Sequence, residues 1–464
     1  MFETQIYVNR RHTLKHKMNE GVILLLGNSE SPMNYADNTY HFRQDSTFLY
    51  FIGLDMPDLA AVIDIDNDTE VLFGDDADIH TVIWTGKQAS VRERADKSGI
   101  SEVKTLTELS TFLNDCLKKD RKIHFTPPYR GENILRLSAL LNIPHQQICA
   151  KASLQLIRAC IDIRSIKETC EIEELERHME VAYQMHVTAM KMAQPGVRES
   201  EITGAIEGIS IAAGNMVSFP VICSVRGETL HNHSHSNILK QGDLLLVDAG
   251  SESPLHYATD HTRTTPVGGK FSPRQRDVYQ IVLNANNAVH KTIKPGIPYI
   301  DVHFAAAREI AEGLKQLGLL KGNIDDILAE GAHALFFPHG IGHMLGLDVH
   351  DMEDYDDTLV GYDNEFKRSS QFGLRSLRLG RRLQPGFMVT NEPGIYFIPD
   401  LIGLWKSQHK FTEFINYDKV ETYIGFGGVR LEDDVLVTRT GSRILGNRIP
   451  IEIDEVQRIA QSGR

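Results

Sequence analysis

The 464-residue chain lacks several features that would place it in a specialised class of protein. It has five cysteines, an odd number, and none stands in a Cys-x-x-Cys pair, so neither a disulfide framework nor a cysteine zinc site is predicted. We expect these cysteines to be buried thiols. The chain also has no excess of positive charge. Its net charge of −13 argues against nucleic acid or an anionic membrane as the main partner.

Long hydrophobic runs and targeting signals are absent as well. The N-terminus runs into a basic stretch at residues 10–15 and contains no apolar signal-peptide core. The only early apolar run, Val22–Leu26, has the length of a strand and is too short to span a bilayer. We therefore predict a cytoplasmic protein without a membrane partner.

The sequence does contain enough apolar residues, 41%, for a large core, and its length suggests two or three domains. Before about residue 160, short β-branched runs alternate with helical stretches, for example at residues 59–65 and 89–97. This pattern is typical of an α/β domain. We predict an N-terminal domain at residues 1–158 and a catalytic domain at residues 159–464.

Two long amphipathic helices are predicted in the C-terminal part. The first begins at Ser165, which has the spacing of a capping box with Glu168, and it ends before the Pro-Gly pair at 195–196. The second begins with Ser-Pro at 272–273 and ends before Pro-Gly at 295–296. Because each Pro-Gly pair leads into another helical stretch, we interpret this part as a diverged internal duplication.

Two aspartates lie beside a predicted strand. Asp248 follows the apolar run 244–247, and Asp260 lies on the returning segment, so the carboxylates are predicted to face each other across a hairpin. A carboxylate at the end of an apolar run is costly to bury unless it is paired, hydrogen-bonded or metal-bound. Taken singly, Asp248 can cap a turn and Asp260 can form a surface pair with Arg263.

Three histidines, His339, His343 and His350, fall within twelve positions of a glycine-rich segment. A neutral imidazole is a common metal ligand, and histidine also carries protons near neutral pH. A single histidine here would more often be a core residue, but three among glycines favour a functional site. The glycine spacing does not match a dinucleotide-binding loop.

Two glutamates complete the candidate set. Glu392 stands before Pro-Gly and can simply end a strand, while Glu432 lies two residues after Arg430 and can form a surface ion pair with it. Considered together, four carboxylates and one histidine are what two divalent cations side by side require. The sequence therefore predicts a dinuclear metallohydrolase with the ligands Asp248, Asp260, His343, Glu392 and Glu432.

The motifs DAG…YATDHTRT, HGIGHMLGLDVHD, NEPGIY and GGVRLEDD, in this order, resemble those of the pita-bread metallopeptidases, which include Xaa-Pro aminopeptidase and Xaa-Pro dipeptidase (prolidase). The resemblance covers residues from about 165 to 445, and residues 42–53 resemble the N-terminal domain of the same two groups. It implies an α+β protein with a C-terminal pita-bread (creatinase/aminopeptidase-like) catalytic domain and a smaller α/β aminopeptidase P-like N-terminal domain.

The resemblance also implies roles for the five metal ligands. Asp248 would bind one ion through both oxygens, and Asp260 and Glu432 would bridge the two ions. His343 and Glu392 would complete the second site. Such a pair can hold a bridging hydroxide as nucleophile and polarise the scissile carbonyl. Oxygen-rich ligation with one imidazole suits manganese, with cobalt, iron or zinc as alternatives, because ligand type alone does not choose the metal.

Five further residues match substrate-side positions of the family. His231 would contact the substrate, and His339 and His350 would contact it and carry protons, with help from Arg430. Arg378 would hold the product-side carboxylate, a task that suits the planar guanidinium. The implied partner is a proline-containing dipeptide or oligopeptide.

Residues 373–378 and the insert 398–423 resemble the dipeptidase branch, so we expect cleavage of Xaa-Pro dipeptides. The alternatives are an Xaa-Pro aminopeptidase acting on longer peptides, a non-catalytic peptide-binding protein of the same fold, and ester hydrolysis as a side reaction. Relatives are often dimers through the N-terminal domain, which implies a homodimer. Two departures from the family pattern are an extra residue between Asp248 and Asp260, interpreted as a bulge within 251–255, and Asn232 in place of a tyrosine after His231.

Overall fold

The computed structural model describes residues 1–463 and divides into two compact units. The first unit comprises Met1–Arg164 and the short segment Met352–Asp356. The second comprises Ser165–Asp351 and the chain from Asp357 onward. Both units combine helices with β-sheet. No helix among the described residues has the length and apolarity needed to cross a bilayer.

The first unit is organised around a five-stranded sheet. Its elements are α1 (Thr4–Lys17), β1 (Val22–Leu26), β2 (Pro32–Tyr35), β3 (Asn38–Thr39), α2 (Ser46–Ile52), β4 (Ala60–Asp64), β5 (Thr69–Phe73), α3 (Ile79–Thr85), α4 (Val91–Ser98), β6 (Glu102–Lys104), α5 (Leu106–Lys118), β7 (Ile123–His124), α6 (Gly131–Leu141), α7 (Ile148–Lys151) and α8 (Leu154–Ser165). The strand order is β6-β5-β4-β1-β7, and alternate apolar side chains of β1, β4 and β5 pack against α5 and α6. The predicted strands at 59–65 and helix at 89–97 correspond to β4 and α4.

The family-like segment 42–53 has a structural role in this unit. The Asp45 carboxylate accepts a hydrogen bond from Phe48 N at 2.9 Å and caps α2, which ends at Gly53 with φ of 77°. The buried amide of Gln44 accepts from Asn28 N at 2.7 Å. These contacts fix the turn that leads into α2.

The second unit contains the remaining elements. They are α9 (Thr169–Met192), α10 (Glu199–Ala212), β8 (Ile222–Ser224), β9 (Leu244–Ala249), β10 (His261–Pro266), α11 (Pro273–Thr292), α12 (Tyr299–Gln316), α13 (Ile324–Glu330), α14 (Glu353–Gly361, whose first residues belong to the first unit), β11 (Met388–Asn391), β12 (Gly394–Tyr396), α15 (Pro399–Ser407), α16 (Tyr417–Glu421), β13 (Gly428–Arg430), β14 (Asp433–Val437), β15 (Ser442–Ile444) and α17 (Ile453–Gln461). Its sheets are β10-β9-β8, β11-β14-β15 and β12-β13. Part of its core lies between α9, α10 and the strands β8 and β9.

The first long helix does not begin at Ser165, which is the last residue of α8. The helix α9 is capped instead by a reciprocal pair, Glu168 and Glu171. The predicted capping box at Ser165 is wrong because residue 167 is held outside a helix. Lys167 N donates to Gly386 O at 2.9 Å, and its buried ammonium pairs with Asp351 at 2.8 Å.

The second long helix, α11, begins as predicted. The Ser272 hydroxyl accepts from Gln275 N and the two residues form a capping box. The glycine of each Pro-Gly pair makes an equivalent hydrogen bond: Gly196 N donates to Leu239 O and Gly296 N donates to Leu383 O, both at 2.8 Å. This repetition supports the interpretation as an internal duplication.

The prediction of buried cysteines is correct for three of the five. Cys116, Cys160 and Cys223 are buried, whereas Cys170 is half-buried and Cys149 is exposed. Cys149 lies on the short helix α7, which buries only one residue. No disulfide joins any of the five, all of which lie within the described residues.

Candidate metal centre

A cavity of about 520 Å³ lies in the second unit, and all ten predicted site residues line it. These residues are Asp248, Asp260, His343, Glu392, Glu432, His231, His339, His350, Arg378 and Arg430. The other walls are largely apolar and include Phe219, Pro220, Ile222, Leu230 and Val349. The size falls within the usual range for small-ligand sites.

The hairpin β9–β10 brings the two aspartates together. Asp248 is paired with Thr262 in the antiparallel ladder, and Asp260 precedes Thr262 by two residues. Side chains two residues apart lie on the same face of a strand, so both carboxylates are on one face as diagonal neighbours. Both are buried. The alternative of a surface pair with Arg263 is wrong, because Arg263 is buried and pairs with Asp433 at 2.6 Å.

The extra residue between the two aspartates lies at the tip of the hairpin. The register of the ladder continues unchanged to the bridge between Glu252 and Ala258. Ser253 N then donates to Tyr257 O at 2.8 Å and closes a three-residue loop that ends at His256, with φ of 67°. A left-handed residue at the end of such a loop is common. The extra residue is therefore at the hairpin tip, as predicted, in a bulged loop that ends one residue beyond the predicted range 251–255, and the ladder that carries both aspartates keeps its register.

Glu392 and Glu432 lie where the strand pairing is interrupted, between the β11–β14 ladder and the β12–β13 ladder. The register that pairs β11 with β14 also pairs β12 with β13, and continued through the break it places Glu392 opposite Glu432. Neither glutamate uses its backbone N–H in the ladder. Glu392 N donates to Ile341 O at 2.9 Å, and Glu432 N donates to Thr262 O at 3.0 Å. The second bond joins the segment that contains Glu432 to the β9–β10 hairpin, which carries the two aspartates.

His343 is oriented by its own backbone. Its ring Nδ1 lies 3.0 Å from Met344 O, so Nδ1 carries the hydrogen and Nε2 keeps its lone pair. Nε2 lies 3.4 Å from Asp260 and 3.9 Å from Glu392. Ligand atoms of Asp260, His343 and Glu432 all lie within 4.8 Å of one another, a spacing that one metal ion can bridge.

The carboxylates are poorly compensated by the protein itself. Burial, followed by the negative charge of Asp248, raises the pKa of Asp260 well above its ordinary value. Burial and Asp260 do the same to the pKa of Glu432, and burial raises the pKa of Glu392. Asp248 Oδ1 is buried and has no hydrogen-bond partner among residues 1–463. Such a cluster is stable in the ionised form only with added positive charge, so these residues fit divalent cations.

Arg430 supports Asp248. The guanidinium is buried and forms an ion pair with Asp248. Its Nε donates to Thr262 Oγ1 at 3.0 Å, and that hydroxyl donates to Glu432 Oε2 at 2.7 Å. Arg430 therefore does not form a surface ion pair with Glu432, and the alternative based on their spacing is wrong.

His339 is held in one protonation state. Nδ1 donates to Gly340 O at 2.7 Å, and Nε2 accepts from the hydroxyl of Tyr396 at 2.8 Å. Burial, with the positive charge of Arg430 nearby, lowers the pKa of His339 to about 3. The ring is therefore neutral near pH 7.

The remaining predicted residues, His231, His350 and Arg378, line the same cavity. The ring of His350 is 4.1 Å from that of His343, between centroids. Burial and Arg430 lower the pKa of His231. Asn232 donates to Ser224 Oγ at 3.0 Å and anchors the loop on β8, while His231 lines the cavity.

Three site residues were not among those predicted. Tyr396 stands four residues after Glu392 in the same motif, and Thr262 stands two residues after Asp260, which places it on the same strand face. His233 lines the cavity two residues after His231. The spacing within motifs already singled out could have identified each of them.

Comparison with known proteins identifies the family of both parts of the chain. The family model of metallopeptidase family M24 matches residues 173–439, and that of the aminopeptidase P N-terminal domain matches residues 7–124. The human Xaa-Pro dipeptidase is 30% identical, covering 94% of this chain and 88% of the relative. A probable Xaa-Pro aminopeptidase of Uncinocarpus reesii is 31% identical, covering 96% and 90%.

A solved structure is similar over the whole chain. Aminopeptidase P from Escherichia coli with the inhibitor Pro-Leu has a TM-score of 0.81 at 27% identity, covering 100% of this chain and 99% of that one. The zinc-substituted form of the same enzyme in complex with product gives the same values. The predicted family and the pita-bread α+β fold are confirmed. The chain belongs to metallopeptidase family M24.

Proposed function

We propose that the protein is a dinuclear metal-dependent exopeptidase that hydrolyses the Xaa-Pro bond, with dipeptides as preferred substrates. One observation carries the proposal. Three buried carboxylates, the partly exposed carboxylate of Glu392 and the lone pair of one imidazole converge on a single cavity, where the pKa values of three carboxyls are raised. Similarity to Xaa-Pro dipeptidase and Xaa-Pro aminopeptidase supports the substrate class.

Five residues would hold the two ions. Asp248 would bind one ion, Asp260 and Glu432 would be shared by both, and His343 and Glu392 would bind the other. Two divalent ions would polarise the scissile carbonyl and lower the pKa of a nucleophilic water. Manganese is the metal we propose, on the basis of the oxygen-rich donor set.

The protein side chains orient the reaction. Arg430 holds Asp248 in place and donates to Tyr396, whose hydroxyl hydrogen bonds to His339 Nε2. These bonds keep the ring of His339 neutral and hold it in one orientation beside Glu392, 3.7 Å away. His231 and His350 line the same cavity, where they can contact the substrate.

The cavity walls suit a prolyl substrate. The peptide nitrogen before proline has no hydrogen, so the site needs no acceptor for it. Apolar side chains such as Ile222, Leu230 and Val349 can enclose the pyrrolidine ring. Arg378 lines the same cavity and can bind the carboxylate of a dipeptide through both of its oxygens.

Metal removal tests the activity. We expect a chelator to abolish cleavage of an Xaa-Pro dipeptide and manganese to restore it, and we expect Asp260→Ala to be inactive after reloading with manganese. Asp454→Ala is the matched control, because Asp454 is an exposed aspartate of α17 that pairs only loosely with Arg276 at 3.3 Å. Full activity of Asp260→Ala would refute the mechanism.

Substrate length tests the dipeptide preference. The alternative of an Xaa-Pro aminopeptidase is supported by the similarity to aminopeptidase P over the whole chain. For a dipeptidase, Arg378→Ala should raise KM for a free Xaa-Pro dipeptide and leave a longer Xaa-Pro peptide a poor substrate. Arg276→Ala, at an exposed arginine, is the control. Better cleavage of the longer peptide, unaffected by Arg378→Ala, would establish the aminopeptidase alternative.

A homodimer in the cytoplasm remains our expectation for the protein. Light scattering coupled to size-exclusion chromatography measures the oligomeric state directly. A monomeric mass at micromolar concentration would contradict the dimer.

A further inference from the structure

Behind the two glutamates, one buried side-chain amide joins the backbone segments that carry them. Asn286 of α11 donates through Nδ2 to Leu431 O at 3.1 Å and, with a longer bond, to Asn391 O at 3.4 Å. These two carbonyls belong to the residues immediately before Glu432 and Glu392. Asn286 is fully buried, although asparagine is a residue type found mostly at the surface.

The orientation of this amide is fixed from both sides. Arg448 donates to Asn286 Oδ1 at 2.6 Å, and because arginine only donates, Nδ2 must face the two carbonyls. Asn391 in turn donates through its own Nδ2 to Asn286 O at 3.0 Å. The two asparagines therefore bind each other reciprocally.

Arg448 is itself anchored to the strand that follows Glu432. It donates to Asp433 Oδ2 at 2.9 Å, and the same carboxylate group accepts from Arg263 at 2.6 Å. Arg263 also donates to Glu432 O at 2.6 Å. The amide of Asn286 is thus one end of a buried polar network that reaches the backbone of Glu432.

The position of this network matters because the ladder is interrupted at the glutamates. The N–H groups of Glu392 and Glu432 bind Ile341 and Thr262, and Pro393 has no N–H, so cross-strand bonding is reduced at this point. One direct bond between the two backbone segments remains, from Leu431 N to Pro393 O at 3.2 Å, so their separation depends also on contacts from other elements. The side chain of Asn286 hydrogen bonds to both segments at once.

We propose that Asn286 is a positioning residue for the metal centre, which sets the spacing of the Glu392 and Glu432 carboxylates through the carbonyls of Asn391 and Leu431. The inference rests on the proposed function, since it assigns the two glutamates to metal ions. Groups that orient metal ligands commonly change metal affinity by about 10- to 100-fold when removed.

A purely structural role predicts a different outcome. If the network only stabilises the fold, replacing both asparagines lowers the free energy of unfolding, because Arg448 and the carbonyls of Leu431 and residue 391 lose their partners, but the folded protein keeps its metal affinity. The double variant Asn286→Leu with Asn391→Leu separates the two roles. A positioning role predicts a folded protein with weakened metal binding.

The experiment measures cobalt binding to the metal-free protein by calorimetry and by the visible spectrum of the bound ion. We expect Asn286→Leu and the double variant to bind at least one ion about 10- to 100-fold more weakly than wild type, with an altered cobalt spectrum. We also expect kcat to fall more than KM rises. Asn284→Leu is the control, because Asn284 lies on the same helix but is exposed.

Each outcome distinguishes the two proposals. If wild type binds no divalent ion, the proposed function fails. If wild type binds metal and cleaves Xaa-Pro while the Leu variants bind with unchanged affinity and spectrum, only the positioning role fails. Should neither Leu variant fold, Arg448→Met, which removes the donor to Asn286 Oδ1 at a partly exposed residue, tests the same point, and unchanged cobalt affinity in that variant refutes the inference.

Discussion

The hydroxyl of Tyr396 donates to His339 Nε2 at 2.8 Å and accepts from Arg430 Nη1 at 2.9 Å. The direction of both bonds is fixed, because arginine has only hydrogens to give and His339 Nδ1 already donates to Gly340 O. Tyr396 therefore connects the arginine that holds Asp248 to the histidine that lies 3.7 Å from Glu392.

Tyr396→Phe should lower kcat by about 10- to 100-fold, since a hydrogen bond to a charged group contributes roughly 1.5–3 kcal/mol and 1.4 kcal/mol corresponds to a factor of ten. Burial and Arg430, which lower the pKa of His339, remain in the variant, so the loss of kcat should be similar at neutral and mildly acidic pH. Steady-state kinetics across pH provide the measurement. Tyr417→Phe, whose hydroxyl donates to Lys410 O outside the cavity, should be unaffected.

The pKa shifts of the carboxylates predict the pH dependence of the metal-free protein. An acid whose pKa is higher in the folded state binds more protons when folded, so stability falls as pH rises through the raised values. This applies to Asp260, Glu392 and Glu432. At about pH 8, metal-free Asp260→Asn should therefore melt at a higher temperature than metal-free wild type, although it is inactive.

Differential scanning calorimetry with and without manganese tests this expectation. The metal should raise Tm of wild type more at about pH 8 than at about pH 5, because ionised carboxylates are what it compensates. Asp454→Asn should behave as wild type in both states. A metal-free Asp260→Asn that melts below metal-free wild type at the higher pH would contradict the proposed repulsion.

Gly428 allows the loop that carries His231 to lie against β13. A Cβ at this position would stand 2.6 Å from Tyr396 Cδ1 and 2.7 Å from Gly227 O. We expect Gly428→Ala to reduce the free energy of unfolding by about 1–3 kcal/mol, the usual effect of overpacking, and to raise KM. Urea unfolding and dipeptide kinetics measure the two effects.

The matched control is Gly204→Ala in α10, where an added Cβ meets nothing within 4 Å. Alanine is the better helix former, so this variant should gain up to about 1 kcal/mol of stability without a change in KM. Equal behaviour of the two variants would show that the close approach at Gly428 is unimportant.

We expect His303 of α12 to make the folded protein less stable in acid. Both of its ring nitrogens are buried and have no hydrogen-bond partner within residues 1–463, and the ring stacks on Phe337 with centroids 5.1 Å apart. Burial lowers the pKa of His303 to about 3. The unfolded chain takes up a proton near pH 6.5 and the folded protein does not, so this residue removes stability as pH falls from about 6.5 to 3.

His303→Phe should flatten that loss and leave neutral-pH stability unchanged or higher, because the phenyl ring leaves no unsatisfied polar atom. The measurement is urea unfolding of the metal-loaded protein at about pH 7 and pH 5. The substitution should remove at most about 1.4 kcal/mol per pH unit from the pH dependence of the free energy of unfolding. His145→Phe, at an exposed histidine, should keep the wild-type pH dependence.

The sequence predicted the site residues well, because they stand in short motifs with fixed spacings. The motifs identified the family, and all ten predicted residues line one cavity. The sequence predicted local structure poorly where contacts with residues distant in the chain override a local pattern. Ser165 and Glu168 have capping-box spacing, but contacts of Lys167 with residues 351 and 386 keep the intervening chain out of a helix.

Arg430 shows the same limit. The nearest acid in sequence is Glu432, two positions away, yet the guanidinium pairs with Asp248, 182 positions away. Asn286 was not singled out at all, since an asparagine on the apolar face of a helix gives no signal of the carbonyls it will bind. Such contacts depend on which chain segments the fold brings together, and no spacing within one motif reports that.

The three-residue loop at 254–256 changes how the interval between the two aspartates should be understood. Since the pairing of β9 with β10 is unaltered up to Glu252 and Ala258, the number of residues between Asp248 and Asp260 records only the size of the loop beyond that bridge. Insertions and deletions there can accumulate without moving either carboxylate. Searches for related sequences should therefore let that interval vary and hold fixed the two-residue step from Asp260 to Thr262.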